Sequence, residues 1–207
     1  MRIVAPLDDA LASRGHVRIL RALDGLPEHF PASAREIARR AGVAHNRASE
    51  ILANLTEQGV ADVERVARSD LYQFNREHSL FPLLHSLFAE ERKIQRELEH
   101  FLRRRLRALV QGVEAAYLFG SVARRESQIG SDIDLAVVIP RGRSGAADKA
   151  LAALASEVRR RFGNELSVHL STELLAKRVQ GRAGRALWRR IQEEGVQLLP
   201  AKAVTRA

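Results

Sequence analysis

The stretch LFGSVARRESQIGSDIDL, residues 118–135, sets a glycine–serine pair ahead of two aspartates one residue apart. On a strand, residues two apart project to the same face. Asp132 and Asp134 therefore share one face, and Ile133 and Leu135 turn into the core. Two neighbouring carboxylates repel each other unless a cation lies between them. Hard oxygen ligands favour Mg²⁺, which takes one or two protein carboxylates and completes its shell with phosphate oxygens and water. Upstream, Gly120 lets the backbone approach a phosphate, and Ser121, at the start of the next helix, offers a hydroxyl and an amide. Arg124 and Arg125 follow one turn later as further phosphate partners. These residue types at this spacing describe a metal-bound nucleoside triphosphate.

The elements that must position these residues alternate strand and helix. Segments 113–120 and 132–140 read as strands, and 145–163 as a helix ended by Gly163. The segment ELSVHLST (165–172) alternates as a strand does. Residues 172–199 read as one long helix, or as two broken near Gly181. Together they make an α/β unit over residues 112–207.

The N-terminal part has a different order. Val17, Ile19, Leu20 and Leu23 stand at helical spacing before Gly25. A second helix opens at Ser33, with Glu36 three positions on as a capping box, and ends at Gly42. The third helix buries Ala48, Ile51, Leu52 and Leu55 and stops at Gly59. Two short strands, 60–66 and 71–74, then flank a turn at Arg68-Ser69-Asp70. Three helices and a hairpin over about residues 12–78, within a domain taken as residues 1–78, resemble the winged helix-turn-helix repressors of bacteria. That resemblance implies a DNA-binding domain that commonly dimerises. The start of its third helix would enter the major groove with His45, Asn46, Arg47 and Ser49. Arg35, Arg39 and Arg40 would meet backbone phosphates, and Arg68 in the wing would reach the minor groove. Residues 79–111 read as one connecting helix, with Leu80, Leu84, Leu87, Leu98 and Leu102 on its apolar side and a surface for a homodimer.

The charge agrees with polyanionic partners. Residues 1–80 hold eleven basic and eleven acidic residues, so the whole net charge of +9 lies in 81–207. Within the N-terminal part, residues 35–47 still carry four arginines against one glutamate, which favours DNA. Cysteine is absent, so disulfides, thiolate nucleophiles and thiolate metal sites are excluded. No apolar run reaches the roughly 18 residues of a membrane span, and the N-terminus has no signal-peptide core. The expectation is a cytoplasmic protein.

Gly120-Ser121, Ala123-Arg124, Glu126 and Ser131-Asp132-Ile133-Asp134-Leu135 also resemble, as a spaced set, the signature of the nucleotidyltransferase superfamily, the polymerase-beta-like fold. Arg125 stands where glycine is usual in that family. The resemblance implies an α+β protein whose C-terminal domain has a mixed sheet. It also implies Mg²⁺ on Asp132 and Asp134, and an NTP, ATP by preference, held by Gly120, Ser121, Arg124 and Ser131. The activity would be transfer of a nucleoside monophosphate, AMP, onto a protein, an RNA end or a small hydroxyl compound. Small members of the family are often paired with a toxin that they silence, so an antitoxin-like role with a toxin partner is one reading. A nucleotide-sensing transcriptional regulator is another. The family adds a third acid on a neighbouring strand, where this chain has Ser167 between Leu166 and Val168. Glu165 is the candidate substitute, or an ordinary surface charge. His169 is a base, a phosphate contact or a surface residue.

Overall fold

The computed structural model describes residues 3–109, 113–128, 130–140, 144–171, 188–191 and 193–199. The chain divides into two compact units, Met1–Arg92 and Lys93–Ala207.

In the first unit, α1 (Leu7–Ala10) and α2 (Arg14–Asp24) precede a two-residue strand β1 (Ala32–Ser33), helix α3 (Ala34–Ala41) and helix α4 (His45–Glu57). Strands β2 (Ala61–Val66) and β3 (Ser69–Phe74) follow, and then helix α5 (Phe81–Glu91). Local chemistry sets the helix ends. The Ser13 hydroxyl accepts from the His16 amide at α2, and the Ser33 hydroxyl from the Glu36 amide at α3. Gly42 ends α3 at φ +61°, the left-handed conformation that glycine adopts without penalty. Ile19, Leu20, Leu23, Ile37, Ile51, Leu52 and Leu55 are buried together with Phe74, Leu84 and Phe88.

The hairpin differs from the sequence-based expectation in two ways. Its turn is Ala67-Arg68 alone, because Val66 pairs directly with Ser69. The sheet has three strands in the order β1-β3-β2, since Ala32 and Ser33 pair with Tyr72 and Leu71. A two-residue strand leaves no periodic trace in a sequence, so only the pairing reveals it.

The expected connecting helix over 79–111 is two helices. Helix α5 ends at Glu91, and α6 (Ile94–Leu109) belongs to the second unit. Leu84 and Phe88 serve the first core; Leu98, Phe101, Leu102 and Leu106 serve the second. One apolar stripe in the sequence feeds two separate cores. The first unit fixes α5 through the fully buried carboxylate of Asp24, which takes His85 Nδ1 at 2.6 Å and Arg92 Nη1 at 2.7 Å. Removing it leaves both partners without their acceptor. Asp24→Ala is expected to cost about 1–3 kcal/mol in a urea unfolding curve of the first unit.

The second unit continues with β4 (Ala115–Phe119), the single turn α7 (Gly120–Ala123), β5 (Ile133–Val138), α8 (Ser144–Phe162), β6 (Leu166–Ser171) and β7 (Val196–Leu199). The strands form one mixed sheet in the order β6-β5-β4-β7. β5 and β6 are parallel, as a crossover through α8 requires, and the other pairs are antiparallel. Helices α6 and α8 cover one face, where Leu102, Leu106, Leu151, Leu154 and Val158 pack on Leu118, Leu135 and Val137. On the other face Phe119, Ala136 and Ile191 are buried, with Tyr117 and Trp188 against them.

Residues 172–187 lie outside the described residues, so most of the expected last helix does too. Its end is corrected: 196–199 is a strand, pairing with β4 through Val196 to Leu118 and Leu199 to Ala116. Gly195 makes the change possible. A Cβ there would lie 2.3 Å from the Ile191 carbonyl oxygen, so only glycine lets the chain fold back that tightly. The open edge of β4 then outweighs the helical periodicity of the preceding residues.

Candidate functional site

The quoted stretch folds around one close approach. Phe119 and Asp134 are register partners across β4 and β5, so the chain turns into Gly120 directly beside Asp134. Gly120 has φ +74°, and a Cβ on it would lie 2.1 Å from Asp134 Oδ2 and 3.0 Å from its Cγ. The carboxylate therefore occupies the space in which any other residue would carry its side chain. Asp134 is half-buried in β5, whereas Asp132 is exposed, one residue before the strand. Burial pushes the Asp134 pKa up, the nearby His169 lowers it, Asp132 raises it again, and Arg124 lowers it. Those four side chains thus form one electrostatic neighbourhood.

The loop from α7 to β5 is held by its own backbone. The Glu126 amide donates to the Ser121 carbonyl at 2.8 Å, and the Ser131 amide to the Gln128 carbonyl at 3.0 Å. The Ser131 hydroxyl accepts from the Gln128 amide at 2.8 Å, and the Ser131 carbonyl accepts from Asn164 Nδ2 at 2.9 Å. Ser131 thus shapes the turn that delivers Asp132. Arg125, standing where the resembled signature has glycine, has φ +61°. Arginine is strained there, which explains why glycine suits the position. Arg125→Gly is expected to raise the stability of the second unit by about 1 kcal/mol, read from thermal unfolding.

Arg124 is held by two carboxylates, with Nε donating to Glu126 Oε2 and Nη1 to Glu194 Oε2, both at 2.8 Å. Those two hydrogen bonds raise its pKa. Glu194 was not legible in the sequence: it lies seventy positions from Arg124, and no motif marks it.

Ser167 is the register partner of Asp134. Glu165, just before β6, forms an ion pair with Arg159 of α8. Its carboxylate pairs with that guanidinium at the surface and forms no metal-holding group with Asp132 and Asp134 among the described residues. His169 is level with Ala136, and its exposed ring lies 5.4 Å from that of Phe119. Among the described residues no group of three or more His, Cys, Asp or Glu side chains is placed to hold a metal. The donors present are two carboxylates, which fits the one or two that Mg²⁺ takes from a protein.

In the first unit, His45, Asn46 and Arg47 are exposed at the start of α4. The Arg47 guanidinium meets Glu50 at 2.8 Å, and the Ser49 hydroxyl donates to the His45 carbonyl at 3.1 Å. Arg39 and Arg40 both bind the Glu36 carboxylate, which those hydrogen bonds, Arg39 first, hold below its ordinary pKa. Glu36 thus supplies these arginines instead of the second half of the capping box. Arg35 and Arg68 are exposed and form no ion pair among the described residues.

Comparison with known proteins bears on the second unit. Two solved toxin–antitoxin structures align with half of the chain and 74% of their own, each at a TM-score of 0.37. One is a toxin–antitoxin with AMP-PNP, 21% identical. The other is a mutant of the toxin–antitoxin MntA-HpeT, 19% identical. No curated protein matches the chain significantly. No described helix is long and apolar enough to cross a membrane. The model of the polymerase beta nucleotidyltransferase family matches residues 97–198, a span that begins in α6 and ends in β7. Over residues 97–198, then, the chain carries a nucleotidyltransferase domain of the polymerase beta type.

Proposed function

We propose that the second unit binds an NTP, ATP by preference, and transfers its nucleoside monophosphate to an acceptor hydroxyl. The observation that carries this reading is the Asp134 carboxylate seated in the space left by Gly120. Asp132 and Asp134 would hold Mg²⁺, which when bound supplies charge neutralisation on the phosphates. Gly120 allows the triphosphate to approach the backbone, and Ser121 offers its hydroxyl and amide to the β and γ phosphates. Arg124 adds a guanidinium beside Asp134, and Ser131 shapes the turn before Asp132. In the transfer, the acceptor oxygen bonds to the α-phosphorus while the bridging bond to the β-phosphate breaks; pyrophosphate leaves and the hydroxyl proton passes to solvent. Incubation with labelled ATP, Mg²⁺ and candidate acceptors should label one of them, and Asp132→Ala should abolish the label. A toxin-like protein is the first acceptor to try, because the sequence resembles small transferases paired with toxins. Absence of transfer to protein, RNA and small-hydroxyl acceptors alike would sink this reading.

A second reading has its own observation. Ser167 stands opposite Asp134, and Glu165 pairs with Arg159, so among the described residues no third acid joins the pair. A domain that binds nucleotide without turnover would act as a sensor. DNA binding by the full chain should then change with ATP-Mg²⁺ while no product forms.

We infer that the first unit is a winged helix-turn-helix that binds DNA, with α4 in the major groove. The exposed His45, Asn46 and Arg47 support this, as does Arg68 at the tip of the hairpin. Asn46→Ala should weaken a specific footprint. Arg68→Ala should weaken binding across sequences and flatten its salt dependence by about one counterion. A salt-insensitive association would rule DNA out.

A further inference from the structure

The carboxylate of Glu194 has no part in the motif, yet it touches Arg124. Its mounting is rigid. Gly195, next to it, donates to the Ile191 carbonyl at 2.9 Å and has no room for a Cβ. Val196 pairs with Leu118, near the end of β4 that leads into Gly120. Ile191 is fully buried against Phe119 and Ala136, and Trp188 packs on the same cluster. Glu194 is therefore presented from a fixed sheet edge to the turn that carries the phosphate partners.

The guanidinium is held on Nε by Glu126 and on Nη1 by Glu194, which leaves the Nη2 edge to donate elsewhere. Glu126 is two residues away on the same exposed loop. On its own it would let a flexible arginine swing with that loop. Glu194 ties the same group to the sheet from the opposite side. The geometry points to Glu194 as a positioning residue: it holds Arg124 in the orientation in which its free edge meets the triphosphate. This rests on the nucleotide reading of the site.

The inference has an unusual sign. A carboxylate near a triphosphate repels it, so charge alone predicts tighter binding once Glu194 is removed. Positioning predicts weaker binding. Trp188, the only tryptophan of the chain, lies in the segment that carries Glu194, so its fluorescence provides the signal. Titration of the full chain with Mg-ATP should show Glu194→Ala binding about tenfold more weakly, the scale of one charge-assisted hydrogen bond. Glu194→Asp keeps the charge and shortens the arm by one methylene, so it too should weaken binding. Glu194→Gln keeps an acceptor at the same reach and should stay within about twofold of wild type. In an Arg124→Ala background the Glu194→Ala effect should vanish, since the two act as one unit.

Unchanged or tighter binding in Glu194→Ala and Glu194→Asp overturns the inference. So does an equal loss in the Arg124→Ala background. Wild type that fails to bind Mg-ATP, or binds no better than Asp134→Asn, overturns the nucleotide reading itself.

Discussion

Gly120→Ala is expected to remove Mg-nucleotide binding by the second unit while leaving the first unit folded. Two effects combine. The residue sits at φ +74°, where an L side chain costs roughly 1–2 kcal/mol. The new Cβ would also lie 2.1 Å from Asp134 Oδ2 and 3.3 Å from its Cβ, so a rotation of the carboxylate alone has to clear the whole Asp134 side chain. Asp134 is fixed in the middle of the β4–β5–β6 sheet, so its backbone cannot yield. The carboxylate must leave the position where it would meet the cation. Unfolding of the second unit should move down by about 1–2 kcal/mol, and the affinity for Mg-ATP should fall by more than tenfold. Calorimetry and thermal melts on one sample read both. An alanine variant that binds as wild type would show that Asp134 is not the seat of the ligand.

Asp134→Asn should separate stability from function. Burial raises the Asp134 pKa, so the fold disfavours its ionised form. The sign follows from linkage. The native state carries no penalty in acid. The penalty grows as pH rises through the ordinary carboxylate range, and it is complete above the raised pKa of the folded state. Asparagine removes the charge. In chelator, the variant should be more stable than wild type at neutral pH, with the difference closing as pH falls. Adding Mg-ATP at a hundred times its Kd should stabilise the wild type by about 2.7 kcal/mol and the variant not at all. The order of stability then reverses between the two conditions. A variant less stable than wild type at neutral pH without ligand would contradict the burial argument. One still stabilised by Mg-ATP would remove Asp134 from the site. Trading stability for a half-buried charge is the pattern expected at a functional site.

How much of this was legible in the sequence varies with the range of the interactions. Helices α2, α3, α4 and α8 and strands β4, β5 and β6 follow from apolar period and from caps such as Ser33 and Gly42, all of which act within one turn or one pleat. The Gly-Ser and Asp-x-Asp spacing also pointed to a nucleotidyltransferase domain, which the family match over residues 97–198 bears out. What the sequence could not decide depends on a partner far along the chain. The stripe from Leu80 to Leu102 looks continuous, yet it breaks at Arg92-Lys93 because two cores compete for it. Val196–Leu199 becomes a strand only because β4 offers an unpaired edge. The fate of Glu165 hangs on Arg159 of the adjoining helix, and the hold on Arg124 on a glutamate seventy residues away. A sequence carries short-range preferences directly; hydrogen bonds and ion pairs between distant segments exist only once the sheet has closed.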